Sequence, residues 1–262
     1  MTAIDFSAFV DKLATVSGEA ILPFFRTAMA VEDKPGKGGF DPVTEADRAA
    51  EAAMRTLIER TFPHHGIVGE EYGSERIGAE YVWALDPIDG TKSFISGMPA
   101  WGTLIGLARY GEPVFGMMHQ PFTRERFTGD GGGARYRGPA GERALRVRPC
   151  ASLGEAILHT TSPRLMNAED RRDFERVEET VRLSRYGGDC YAYCMVAAGH
   201  VDLVIETELK PHDVMALVPI VTGAGGIMTT WENGPPQHGG RIVAAGDRRV
   251  HEQALKLLHR QS

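Results

Sequence analysis

The sequence predicts an α/β (α+β) protein made of two halves that share a core. Three patterns carry this. Up to residue 62 there are two stretches with apolar residues at helical spacing; residues 66–147 read as short strands broken by glycine; beyond residue 150 helical and strand patterns alternate. No linker rich in Pro and Ser, no internal repeat and no low-complexity tract separates the halves. The expected division is residues 1–150, an α+β half with an antiparallel sheet, and residues 151–262, an α/β half.

Taken in order, residues 5–28 place Phe6, Phe9, Val10, Leu13, Val16, Ala20, Ile21 and Phe24 on one helical face. A charged, glycine-rich loop follows over 33–40. Thr44 and Asp47 have the spacing of a capping box, and they open a second helix with the stripe Ala46, Ala50, Ala53, Met54, Leu57 and Ile58, ended by Pro63. Strand-like runs occur around Ile67–Val68 and over Tyr81–Leu85. Trp101–Arg109 and Pro113–His119, joined across Tyr110-Gly111-Glu112, read as an antiparallel hairpin. Residues 126–147 look like further short strands around Gly131, Gly132 and Gly133, with Arg143, Arg146 and Arg148 on a strand surface. In the second half the expected elements are a strand at 157–160, a charged helix at 169–183, an apolar helix at 190–198 stopped by Gly199, and a strand at 201–206. A helix at 213–223, strands at 227–231 and 241–245, and a last helix capped by Asp247 and running to Leu258 complete the reading.

Composition narrows the class. Of 262 residues, 42% are hydrophobic and 24% charged, ordinary for a globular chain; the formal net charge of −6 argues against broad nucleic-acid binding, which favours a basic face. No apolar run reaches the ~20 residues of a membrane-spanning helix. The N-terminus lacks a basic segment followed by an apolar core, so no secretory signal is expected. Cys150, Cys190 and Cys194 make a poor disulfide framework; the last two, four apart, suit one buried helix face better than a zinc site. A reducing cytoplasm follows as the expected location.

The most informative segment is residues 83–91, Trp-Ala-Leu-Asp-Pro-Ile-Asp-Gly-Thr. A buried strand that ends this way delivers two carboxylates, Asp86 and Asp89, with a carbonyl and a hydroxyl on one loop. Such hard oxygens suit Mg²⁺. Asp-Pro and Asp-Gly are also ordinary turn pairs, so other segments must add weight. Three do: Asp41-Pro-Val-Thr-Glu-Ala-Asp47, Gly69-Glu70-Glu71 after a strand, and Asp213 ahead of an apolar helix. Each has a plain structural use as cap or solvated turn, yet all stand at strand ends or helix starts, where ligand sites of such sandwiches lie.

In this order the motifs resemble the inositol monophosphatase superfamily, over about residues 30–230. The resemblance implies a layered αβαβα sandwich and an Mg²⁺-dependent, lithium-sensitive phosphatase with two or three ions per site. It assigns Glu70, Asp86, the Ile88 carbonyl, Asp89 and Asp213 to the metals. Glu70 and Thr91 would orient the attacking water, with Asp47 hydrogen-bonded to Thr91. Gly90 and Thr91 would offer backbone N–H groups to phosphate. A loop lysine near the metals is also implied; Lys34 and Lys37 both qualify, and the flanking glycines suggest a lid. Gly-Gly-Asp189-Cys-Tyr-Ala-Tyr193 and Glu208-Leu-Lys210-Pro-His-Asp213 are similar to the histidinol-phosphate phosphatase branch, and His212 stands where many inositol phosphatases have Trp. Asp189, Glu206 and Glu208 are then the acids expected to face a cationic leaving group, with Tyr191 as a wall. Asp189 is open between that role and a helix N-cap. The competing readings are an inositol or broad sugar-phosphate phosphatase, and a non-catalytic interaction protein on the same fold. The expected partner is a small phosphorylated substrate, with neither nucleic acid nor membrane; family members are often homodimers.

Overall fold

The computed structural model describes residues 6–27, 32, 33, 42, 43 and 45–258. Helices α1 (Phe6–Ile21) and α2 (Glu45–Thr61) lie on either side, along the chain, of two short paired strands, β1 (Glu32–Asp33) and β2 (Pro42–Val43). Next come β3 (Gly66–Gly69), β4 (Gly73–Glu75), β5 (Tyr81–Asp89), the short helix α3 (Thr91–Ile95), β6 (Gly102–Arg109), β7 (Glu112–Gln120), β8 (Glu125–Gly129), β9 (Ala134–Gly138) and β10 (Gly141–Ala144). Strands β3 to β10 form one sheet in the order β10-β9-β8-β7-β6-β5-β3-β4, antiparallel except for the parallel pair β3/β5. The second half holds β11 (Ile157–Thr160), α4 (Ala168–Glu178), β12 (Leu183–Tyr186), α5 (Asp189–Ala197) and β13 (Leu203–Leu209). It continues through α6 (Pro211–Val214), α7 (Leu217–Gly223), β14 (Ile227–Thr230), β15 (Gly240–Ala245) and α8 (Arg248–Leu258). Its five strands run β12-β11-β13-β15-β14, with β11 parallel to both neighbours and the remaining pairs antiparallel.

The layers follow from which faces are apolar. Phe9, Val10 and Leu13 of α1 and Met54 and Ile58 of α2 pack on Trp83, Leu85, Ile105 and Met117 of the first sheet. The opposite face of that sheet meets α5 and α7, whose other side meets the second sheet; Met118, Phe127, Tyr193, Leu217, Ile220 and Ala244 share this central core. Phe174 of α4 and Val250 and Ala254 of α8 close the outer face of the second sheet. The result is the αβαβα sandwich implied by the resemblance. β5 is buried along nearly its whole length because it is covered on both faces, which is why its sequence reads as a continuous apolar run. The middle layer comes very close to the first sheet: a Cβ on Gly116 would lie 1.9 Å from the Ala216 carbonyl oxygen.

The expected elements are present with some differences, the first being that the helical pattern over 5–28 gives a helix only to Ile21. The helix over 169–183 stops at Glu178, and Leu183–Tyr186 instead pairs parallel with β11 as an edge strand. The helix over 213–223 is two helices, α6 and α7, because Pro219 has no N–H to offer the Met215 carbonyl. Asp213 is therefore inside the first turn of a four-residue helix rather than at the head of a long one, and little helix dipole is aimed from there. Arg146 and Arg148 lie beyond β10; Arg148 Nε donates to the buried Asp202 at 2.8 Å. Asp247 accepts from the Arg249 N–H and caps α8 as expected, and all three cysteines are free and buried. Among the described residues no helix is long and apolar enough to cross a membrane.

Candidate active site

In a regular strand side chains alternate between faces, so Asp86 and Asp89, three apart, would point in opposite directions. They do not. Between the pairs Asp86↔Leu104 and Asp89↔Gly102 two residues of β5, Pro87 and Ile88, face the single residue Thr103 of β6. This bulge restores the parity and turns both carboxylates to one side. Pro87 is at home there because it has no N–H to give to the ladder; its free carbonyl accepts from the Thr103 hydroxyl at 2.8 Å. Gly90 then turns the chain with φ of 90°, where a Cβ would lie 2.9 Å from the Ala100 carbonyl, and Thr91 starts α3.

Asp213 joins from the other half. Its carboxylate accepts the Lys210 N–H at 2.6 Å, which fixes the side chain. Oxygens of Asp86, Asp89 and Asp213 lie within 4.8 Å of one another. Burial pushes the Asp86 carboxyl well above the carboxylate range, and the negative charges of Glu70, Asp89, Asp213 and Asp47 add to the shift. Burial also raises Asp89, helped by Asp189 and Asp213 and opposed by the Cys190 thiol; the Cys190 N–H also donates to it, at 2.5 Å. Asp213 is raised by burial too, against the pull of His212 and the Lys210 amide. Glu70, whose N–H bonds the Leu85 carbonyl at 3.2 Å, and the buried Asp47 in the first turn of α2 thus act on the same point. Asp86 Oδ1 is buried with no hydrogen-bond partner among the described residues. Crowded acids, one with an unmet acceptor, fit a small hard cation, which would bring every carboxylate back to its charged form.

A cavity of about 250 Å³ opens at the cluster, lined by Asp89, Thr91 and Asp213 together with Asp189 and Glu206. Glu206 is nearly fully buried. The Thr161 N–H and hydroxyl both donate to its Oε1, at 2.8 and 2.6 Å, and burial still lifts its pKa to about 7. Asp189 accepts from the Ser93 hydroxyl at 3.1 Å and the Thr161 hydroxyl at 3.3 Å. Burial raises Asp189 as well, against these bonds and nearby Lys92. Leu165, Met166 and Leu209 supply apolar wall.

Several expectations change. Asp189 does not cap α5: the residue before the helix is Gly188, no side chain caps it, and Asp189 itself sits at φ 43°, its carboxylate turned into the cavity. Glu208 faces outward. A second bulge sets Thr207 and Glu208 against Arg241 between Glu206↔Ile242 and Leu209↔Gly240, so Glu206 and Leu209 share the cavity side and Glu208, at φ 60°, is exposed. Tyr191 is not a wall; its hydroxyl donates to Glu125 and its ring packs edge-on to Phe127. The Thr91 hydroxyl donates to the Ile88 carbonyl at 3.1 Å, not to Asp47. Lys34, Lys37, Asp41 and Thr44 lie outside the described residues. Sequence reasoning missed Ser93, Thr161 and Lys92; only Lys92, one residue past the Asp-Gly-Thr run, had a local signal.

The fold and the acidic cluster define an αβαβα protein with a candidate cation site, and comparison makes the class specific. It belongs to the inositol monophosphatase family, whose model matches residues 5–262. It is 43% identical over 264 residues to "Bifunctional phosphatase IMPL2, chloroplastic" of Arabidopsis thaliana, covering 97% of this chain and 75% of that protein. It is 34% identical to a histidinol-phosphatase of Mycobacterium tuberculosis, covering 88% of each. An inositol monophosphatase from Zymomonas mobilis superposes with a TM-score of 0.86 at 40% identity, over 98% of this chain and 99% of that one. The protein is thus a phosphatase of small phosphorylated substrates, in a family that is metal-dependent as a rule.

Proposed function

We propose that this phosphatase hydrolyses histidinol phosphate with Mg²⁺ as its cofactor. The observation that carries the reading is the second acidic pair, Asp189 and Glu206, joined through Thr161 in the same cavity as the Asp86–Asp89–Asp213 cluster. Histidinol carries an ammonium and an imidazole. Buried carboxylates next to the leaving-group space favour such a cation, because each side relieves the other's desolvation. The similarity to the histidinol-phosphatase supports the same reading.

Glu70, Asp86, the Ile88 carbonyl, Asp89 and Asp213 would hold the ions, two or three of them. When bound, the ions supply water activation and charge neutralisation at the phosphoryl group. Glu70 and Thr91 orient the attacking water, Glu70 taking up its proton; Asp47 keeps the α2 side of the site negative. The Gly90 and Thr91 amides bind phosphate oxygens. Asp189 and Glu206 hold the amine end of the leaving group, and Thr161 sets their direction.

A second reading, an inositol or sugar-phosphate phosphatase, is favoured by the hydroxyls of Thr160, Thr161 and Ser162 around the cavity, which suit a polyol, and by the inositol monophosphatase neighbour. Steady-state rates on histidinol phosphate, inositol-1-phosphate and fructose bisphosphate separate the two. Histidinol phosphate is expected to lead in kcat/KM by at least about tenfold, roughly 1.4 kcal/mol, and Asp189→Asn to lower its kcat/KM while sparing the polyol substrates. A clear lead for inositol-1-phosphate sinks the histidinol assignment.

A further inference from the structure

Among Ala46, Ala50, Met54 and Ile58 the buried stripe of α2 carries two carboxylates where an amphipathic helix calls for apolar side chains: Asp47 and, one turn on, Glu51. Glu51 is fully buried. Its Oε2 accepts the Glu71 N–H at 2.7 Å; its Oε1 accepts the Tyr72 N–H at 3.2 Å and Arg55 Nε at 2.7 Å. Arg55 continues to Glu75 at 2.9 Å and to the Gly73 carbonyl. One turn of α2 therefore grips the whole β3–β4 turn, the segment on which Glu70 stands. Gly69 makes this approach possible, since a Cβ there would lie 1.9 Å from Glu51 Oε1. A buried ion pair adds little net stability over apolar residues of the same size. What Glu51 does fix is the direction of three donors, two of them the backbone amides that follow Glu70.

We propose that Glu51 is a positioning residue: it holds the Glu71 and Tyr72 amides so that the Glu70 carboxylate stays aimed at Asp86 and Asp213. This rests on the reading of Glu70 as a metal- and water-holding group. Glutamine at 51 keeps the shape but has one acceptor oxygen for three donors. In the Mg²⁺-loaded enzyme E51Q is expected to lower kcat about 10–100-fold, the range for groups behind a metal ligand, with KM within about twofold. Mn²⁺ titration followed by electron paramagnetic resonance, without substrate, is expected to show about tenfold weaker binding. G69A, which displaces the Glu51 carboxylate without removing an ionisable group, should reproduce both losses, and the double variant should be no worse than either single one. Unchanged kcat and Mn²⁺ affinity in E51Q, with only an earlier melt, overturns the proposal. So do losses that add in the double variant. Because the Mn²⁺ titration needs no substrate, a wild type that turns over none of the phosphate esters would sink the proposed function while Glu51 remained measurable.

Discussion

Asp86 is a buried acid with, among the described residues, no hydrogen-bond donor for Oδ1 and four negative neighbours. Such a group is held against its own preference unless a cation completes it. Asp86→Asn is expected to lower kcat by more than about a hundredfold, beyond the 10–100-fold typical of outer groups. In EDTA the same variant should melt at or above the wild-type temperature, since a repelled charge is gone. Activity near wild type, followed by phosphate release, would count against the metal role. At the same scale, Asp189 and Glu206 differ from surface acids through Thr161, which uses its N–H and its hydroxyl to order them.

At the scale of elements, the site is made by two bulges. Each sets two residues against one, in β5 and in β13, and each turns a three-residue spacing into a shared face. They keep their aim because the middle layer presses against the first sheet without spare room. Gly116 of β7 passes directly under the link between α6 and α7. Gly116→Ala puts a methyl group on the Ala216 backbone, and is expected to cost about 1–3 kcal/mol, the range for overpacked cores, read by urea denaturation. It should also weaken metal binding, since α6 carries Asp213. A fully stable variant would mean the layers slide apart more easily than this packing implies.

For the whole molecule the consequence is pH dependence. Glu206 keeps its proton up to about pH 7 in the fold against 4.5 as its ordinary value. A raised carboxyl contributes stability that is present below about pH 4.5 and lost as pH rises through about 7. In EDTA, the melting temperature of the wild type is therefore expected to fall relative to Glu206→Gln between those limits. Scans at several pH values check this; parallel curves would mean that Glu206 ionises freely. Bound Mg²⁺ should flatten the decline of the wild type by stabilising the charged acids nearby.

The sequence by itself determined most of the elements, the acidic motifs and their order, because periodicity, turn residues and short motifs act over a few positions. The strand run into Asp86 and Asp89, the hairpin over 101–119 and the final helix behind Asp247 are of this kind. Only the tertiary structure decided which acids share a cavity. Asp189 turned into the cavity rather than capping a helix, Glu208 turned outward, and Thr161, Ser93 and Glu51 joined from distant segments; the helix break at Pro219, by contrast, was legible in the sequence. The physical reason is that a bulge exists only once a partner strand sets the register, and a hydrogen bond between residues dozens of positions apart leaves no local pattern.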